Sequence, residues 1–240
     1  CDLPLLPGGP PLGGHVLSHD QLEAVLMRRA GYEVRVLPDE QGSWEENPPN
    51  LPEFIRRDLR WCQGNMQYFR LLAMPGLLPV SRWQLVLAIL MYVGAPAWMG
   101  FTVLGLCRQV PFRLDLGLLL FVTTLAMGLA PKLATLANVL ARAPLRRAYG
   151  GGLRVIASAL LEIVFSMLIA PVSAVAVTVF IVGLFFRRRV GWTSQQRDAQ
   201  ALEPGTAVRA LWPQTLVGIG LGVWLWWVAP GAVWYWTPLI

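Results

Sequence analysis

The sequence predicts an α/β segment followed by a multi-span α-helical membrane domain, on three observations. Hydrophobic residues make up 55% of the 240, charged residues only 14%, and the mean hydropathy is +0.50. An ordinary soluble domain carries about 25% charged residues. The charge is also divided unevenly: residues 1–80 hold ten Asp/Glu and seven Arg, and residues 81–240 hold thirteen Lys/Arg against four Asp/Glu. Finally, beyond residue 80 the chain becomes long apolar runs separated by short arginine-rich loops. Eleven Trp in so apolar a chain exclude disorder. The net +6 lies in those loops, a pattern of cytoplasmic loops rather than of a nucleic-acid surface, so no nucleic-acid partner is expected. The apolar runs are long and internal, unlike a signal peptide. The chain starts at Cys1 and stops inside an apolar run at Ile240, and we expect it to be a piece of a longer protein.

In chain order, Ser18 is the expected cap of a first helix, with Gln21 as its capping-box partner. Leu22, Val25, Leu26 and Ala30 follow at helical spacing, and Gly31 supplies a left-handed stop. Residues 32–37 alternate as a strand, closed by Pro38-Asp39. Residues 40–50 form a polar loop. A second helix is expected over 51–72, with Arg56, Arg57, Arg60 and Arg70 along it. Its Met66, Tyr68, Phe69, Leu71 and Leu72 are apolar enough to lie on a membrane surface.

Residues 84–107 carry no charge and are long enough to span a bilayer. Residues 116–141 form the next run, broken by Pro131-Lys132. Residues 155–186 carry one charge, Glu162, and a central Pro171. They are short for two spans of about 20 residues each, so a hairpin hinged at Pro171, or an interfacial helix plus a partial span, is expected over a single crossing. Residues 210–240 are uncharged, with Trp224, Trp226, Trp227, Trp234 and Trp236 grouped as in an interfacial belt. The arginines of 142–154 and of 187–209 place both loops in the cytoplasm.

Several stretches carry candidate chemistry beside a plainer reading. Asp20, at a helix start, is commonly a cap stabilised by free N–H groups and the helix dipole. Arg57-Asp58-Leu59-Arg60-Trp61 reads equally as a solvated arginine face beside a packed Trp. Residues 192–198 read as a polar loop. Gly8-Gly9 and Gly13-Gly14 fit no phosphate-loop pattern. Two His, with Cys1, Cys62 and Cys107 far apart, give no zinc site. Lys132 and Glu162 stand apart, because charge inside a membrane run is costly and marks a functional suspect. They can pair with each other or with backbone, or lie at an interface.

The strings Leu6-Pro7-Gly8, Gly13-Gly14-His15-Val16-Leu17-Ser18-His19-Asp20, Leu26-Met27-Arg28-Arg29-Ala30-Gly31, Ser43-Trp44-Glu45-Glu46, Pro48-Pro49-Asn50 and Arg57-Asp58-Leu59-Arg60-Trp61-Cys62-Gln63-Gly64-Asn65 occur in this order. Ala130-Pro131-Lys132, Leu161-Glu162-Ile163-Val164-Phe165-Ser166 and Gln196-Arg197-Asp198 follow. Over essentially its whole length the sequence thus resembles the glucans biosynthesis glucosyltransferase H family (OpgH, also called MdoH). The resemblance implies a processive, UDP-glucose-dependent, inverting hexosyltransferase of the bacterial inner membrane, related to cellulose synthase. It implies synthesis of the β-1,2-linked backbone of osmoregulated periplasmic glucan, with a cytoplasmic active site feeding a transmembrane passage. Acyl carrier protein and the periplasmic protein OpgG are the implied partners, besides membrane lipids, UDP-glucose and the glucan acceptor.

The resemblance also implies roles. Asp20 stands where the family's general base stands, taking the acceptor hydroxyl proton. His19 orients Asp20 or the acceptor. Arg60 holds the leaving diphosphate by charge-assisted hydrogen bonds, and Trp61 faces the terminal glucose. Arg57 stands where cellulose synthases have Gln, with its role open. Thr193 and Arg197 would approach the diphosphate from a gating loop at 192–198. Residues 1–80 would be the C-terminal part of the cytoplasmic glycosyltransferase domain plus an interfacial helix, and 81–240 the transmembrane domain. The uridine- and Mg²⁺-binding half would precede Cys1, no metal ligand falls on these residues, and the piece alone is expected to be inactive. A transporter or channel subunit would suit the membrane half, but has no need of Asp20 with Arg60-Trp61. Arg57 and the Ser-His-Asp string argue against a synthase of another β-glucan such as cellulose. Intact Asp20, Arg60 and Trp61 argue against an inactive scaffold.

Overall fold

The computed structural model describes residues 3–36, 46–107, 114–190, 202–228 and 230. Seven α-helices are found among them: α1 Asp20–Arg29, α2 Leu51–Gln67, α3 Pro79–Cys107, α4 Leu114–Ala141, α5 Ala143–Ala148, α6 Gly152–Phe185 and α7 Pro204–Val228. No strand occurs among the described residues; Leu6 and Gly14 form one isolated bridge. The strand expected at 32–37 is therefore not formed over its described residues 32–36, while Leu37 lies outside them. Alternation alone makes no strand, because its backbone groups need a neighbouring chain to complete the ladder.

The chain separates into two compact units. One comprises Cys1–Phe101 with Val172–Ile240, the other Thr102–Pro171. In the first, α1 ends as the sequence predicts. Gly31 takes φ +89°, its N–H donates to Arg28 O, and Tyr32 N–H donates to Met27 O, the paired bonds that close a helix C-terminus. The N-terminus differs from expectation. The cap is His19, with no side-chain capping bond, and Ser18 is buried. Ser18 packs against α2, so it is not left to cap α1. Asn50 caps α2, accepting from Glu53 N at 3.0 Å. α2 stops at Gln67, and Tyr68–Arg70 continue as one 3-10 turn.

The core of this unit joins Leu22 and Val25 of α1, Cys62 and Met66 of α2, Tyr68 and Leu71, Leu85, Ala88 and Ile89 of α3, and Val177, Phe180 and Leu184 of α6. Met66, Tyr68 and Leu71, expected on a membrane surface, are thus buried in protein, whereas Phe69 is exposed. Asn65 Nδ2 donates to Ala88 O (3.3 Å), and Arg82 donates to Leu72 O (2.7 Å) and Met74 O (3.0 Å), so polar bonds tie α2 and its following turn to α3. α7 packs against α2 and buries Leu225.

The second unit holds α4, α5, the end of α3 and the first part of α6. α4 runs on through Pro131, where a break was expected. Likewise α6 is regular helix through Pro171, so the expected hairpin is not formed; the boundary between the units falls at this proline. Proline is tolerated inside membrane helices more readily than in water-soluble ones; four residues on, Thr135 Oγ1 donates to Pro131 O at 3.0 Å, a back-bond along the same helix. α5 occupies part of the loop expected at 142–154, and Gly150 and Gly151, both at positive φ, turn the chain into α6. Lys132 Nζ pairs with Glu162 Oε1, one of the pairings the sequence allowed. The pair lines a cleft of about 410 Å³ with Thr135, Tyr149 and Ser158.

Among the described residues, four helices are long and apolar enough to cross a membrane: Pro79–Leu104, Asp115–Ala141, Gly152–Phe185 and Pro204–Val228. Trp226 and Trp227 are exposed on α7; Trp234 and Trp236 lie outside the described residues.

Candidate active site

Asp20 is the first residue of α1, where unpaired N–H groups and the helix dipole favour a carboxylate. Its side chain is 77% exposed. His19 Nδ1 lies 3.3 Å from Asp20 Oδ1 and 3.2 Å from Glu23 Oε1, so one imidazole is shared by two carboxylates. The reading of the sequence missed Glu23; its signal was the helical i, i+4 spacing from His19.

The chain leading into Asp20 is irregular, and α2 with the turn that follows it supplies side-chain hydrogen bonds to it. Gln63 Nε2 donates to Pro11 O (3.0 Å), and Gln67 Nε2 donates to His15 O (3.0 Å). Leu17 N donates back to Gln67 Oε1 (3.0 Å), and Tyr68 Oη donates to Ser18 O (2.8 Å). Gly64 fits between them: a Cβ there would lie 2.5 Å from Ser18 Cβ and 2.6 Å from Ser18 N. Only a residue without a side chain allows this approach. Burial holds the Tyr68 phenol above its ordinary value; a Ser18 contact opposes the shift and the charge of Asp20 adds to it. Asp20 is two residues from Ser18, and Trp61 is one helical turn from Gly64.

On α2, Arg57 lies over the ring of Trp61, its guanidinium carbon 4.8 Å from the centroid, and over Phe54 at 5.7 Å. Arg57 Nη2 also donates to Asn47 Oδ1 at 3.4 Å. The structure thus gives Arg57 something to do that the sequence left open: it braces the indole. Trp61 stays 38% exposed. Arg60 is half-buried on the same helix. Asp58, between the two arginines, accepts from Tyr92 Oη of α3 at 3.1 Å. Burial raises its pKa, against the Tyr92 hydrogen bond and the Arg57 charge, which lower it. Burial also pushes the free Cys62 thiol up to about 12, with the charge of Asp58 adding to it, which makes Cys62 a packing residue rather than a nucleophile.

Thr193 and Arg197 lie outside the described residues. Just before them, Val190 N donates to Gln63 Oε1 at 2.8 Å, so the exit of α6 meets the face of α2 that holds residues 11–18. Among the described residues no group of three or more His, Cys, Asp or Glu is placed to hold a metal ion.

An exposed carboxylate and an arginine–tryptophan turn thus lie in one unit with parts of the membrane-length helices. The sequence profile of glycosyl transferase family group 2 matches residues 17–237, and the chain belongs to this family. It is 36% identical over its whole length to glucans biosynthesis glucosyltransferase H of Pseudomonas putida, covering 30% of that protein. It is 37% identical to the protein of the same name from Pectobacterium carotovorum and 36% identical to that from Klebsiella pneumoniae, again over the whole chain. It spans about 30% of the length of these curated relatives. No solved structure gives a significant match.

Proposed function

We propose that the chain forms the acceptor-side part of a processive, inverting glucosyltransferase. The enzyme moves glucose from UDP-glucose onto a growing β-1,2-linked glucan, the backbone of osmoregulated periplasmic glucan. The observation that carries this reading is the Ser18–Gly64 contact, which fixes the helix start bearing Asp20 against the helix bearing Arg60 and Trp61. In the transfer, the acceptor hydroxyl oxygen attacks the anomeric carbon, its proton passes to the Asp20 carboxylate, and the bond to UDP breaks. The start of α1 fixes where Asp20 stands, and His19, held by Glu23, orients it. Arg60 meets the leaving diphosphate, with Thr193 and Arg197 approaching it from the segment after α6. Trp61, braced by Arg57, offers the rest of its ring to the terminal glucose.

Residues 1–80 complete an α/β glycosyltransferase domain with an interfacial segment, in which the stretch at 32–37 gains its neighbouring strand. We place the uridine and Mg²⁺ sites outside these 240 residues, so this piece alone is inactive, and Mg²⁺ takes no part in the steps assigned here. The enzyme sits in the inner membrane with its active site cytoplasmic, and acyl carrier protein and OpgG are its partners. The hydrogen bond between Val190 and Gln63 supports a cytoplasmic start for the loop at 187–209, and the arginines of 142–154 support the same side for that loop.

The test is Asp20→Asn in the full-length enzyme, in inverted membrane vesicles supplied with labelled UDP-glucose and the partner proteins. Wild type makes β-1,2-glucan, and the variant, equally inserted, loses transfer by about 10²–10⁴-fold, the usual share of a general base. Near-normal turnover in the variant overturns the assignment of Asp20. A different linkage in the product overturns the β-1,2 reading.

A further inference from the structure

Beside the Tyr68 bond to Ser18 O and the backbone bridge of Gly14 to Leu6, three hydrogen bonds that hold residues 11–18 come from two glutamine side chains. Gln63 and Gln67 are one turn apart on α2, and both are buried. Gln67 acts through both ends of its amide on His15 O and Leu17 N. Gln63 spends its donor on Pro11 O and its acceptor on Val190 N. Gln63 is thus in contact with the lead-in to Asp20 and with the exit of α6 at the same time. A carboxylate would lack the donors and an apolar residue would lack both groups, so a primary amide is the side chain that meets all four bonds.

We propose that Gln63 and Gln67 are positioning residues for the acceptor base. They set the path of residues 11–18 and hence where Asp20 enters α1, and Gln63 makes that path depend on the seating of the α6 exit. This rests on the reading of Asp20 as the base. Neither glutamine touches the reacting atoms in this scheme; each acts through Asp20.

The experiment uses the full-length enzyme in vesicles with labelled UDP-glucose, and compares Gln63→Met and Gln67→Met with Asn65→Leu. Asn65 is the control, because its buried amide on the same helix bonds to Ala88 of α3 instead of to residues 11–18. Both Met variants are expected to lose kcat by about 10²-fold, as a misplaced catalytic group does, with KM for UDP-glucose within twofold of wild type. Asn65→Leu should lose comparable thermal stability and keep kcat. In an Asp20→Asn background the Met substitutions should cost nothing further, because residues acting through one group are not additive. Two results overturn the proposal: kcat losses in the Met variants no larger than in Asn65→Leu, or full additivity with Asp20→Asn. A wild type that inserts and folds but transfers no glucose overturns the glucosyltransferase reading itself, and the proposal with it.

Discussion

In the unit of Cys1–Phe101 and Val172–Ile240, apolar side chains of α1, α2, α3 and α6 bury one another, and long-range polar bonds fix how they meet. In the unit of Thr102–Pro171, Leu118, Leu119, Leu120, Phe121, Leu161 and Phe165 are all exposed, and no residue in the apolar window of α4 is buried. The second unit is the more helical of the two, yet it is the one with the fewer buried side chains, so helix content alone does not make a core. Where the first unit meets water, removing apolar surface from it holds the helices together. In lipid that force between helices is absent, and helices meet through close packing and polar pairs. The Lys132–Glu162 pair, joining α4 to α6, is such a link.

The largest effect expected from this contrast is at that pair. Glu162→Gln strands a lysine and Lys132→Met strands a glutamate. A lone charge at the middle of a span costs about 2.5–3.5 kcal/mol. Each single variant should therefore lower the melting midpoint in nanodiscs by several degrees, and the double variant should recover most of the loss. Single variants as stable as wild type would show that water reaches the pair and that the second unit is not lipid-solvated there.

A smaller effect compares one glycine from each region. At Gly64 an added methyl meets Ser18 backbone and side chain at 2.5–2.6 Å, so Gly64→Ala should cost about 1–3 kcal/mol through overpacking. At Gly128 of α4 nothing lies within 4 Å, so Gly128→Ala should be neutral or gain up to about 1 kcal/mol of helix propensity. Melting midpoints of the two variants check this. Equal losses would mean that α4 is closely packed by a neighbour at Gly128.

What the sequence made legible was local. Gly31 stops α1 because its backbone accepts positive φ, and the apolar runs marked where the long helices lie, though not that α4 and α6 run unbroken through their prolines. Asp20, Arg60 and Trp61 were legible as candidates, and Lys132 and Glu162 were legible because charge in an apolar run is conspicuous. What failed needed a partner distant in the chain. Residues 32–36 alternate like a strand but have no described neighbour to pair with. Ser18 has the chemistry of a cap, yet Tyr68 and Gly64, about fifty residues away, take it into the core. Pro171 looked like a hinge because proline breaks helices in water, whereas α6 continues through it. Gln63 and Gln67 gave no signal at all, since an amide on a helix reads as surface until its acceptors arrive from residues 11–18.

Asp58 is the first unit's counterpart to Glu162. One carboxylate is met by an ammonium; the other is met by the Tyr92 hydroxyl and by Arg57 nearby. Burial outweighs those partners, and the folded-state pKa of Asp58 stands above its ordinary value. The sign follows from proton linkage. The folded state holds this proton more tightly than the unfolded chain, so the contribution is fully present below the unfolded pKa. It is lost as pH rises through the folded one. Stability should fall with rising pH across that window, with a slope of at most about 1.4 kcal/mol per pH unit for one proton. Asp58→Asn keeps an acceptor for Tyr92 and has no proton to lose, so it should flatten the slope. Chemical denaturation at several pH values, wild type against variant, reads the difference directly. Parallel slopes would mean that Asp58 is hydrated in the folded protein, and that the first unit is less closed to water around α2 and α3 than its buried core implies.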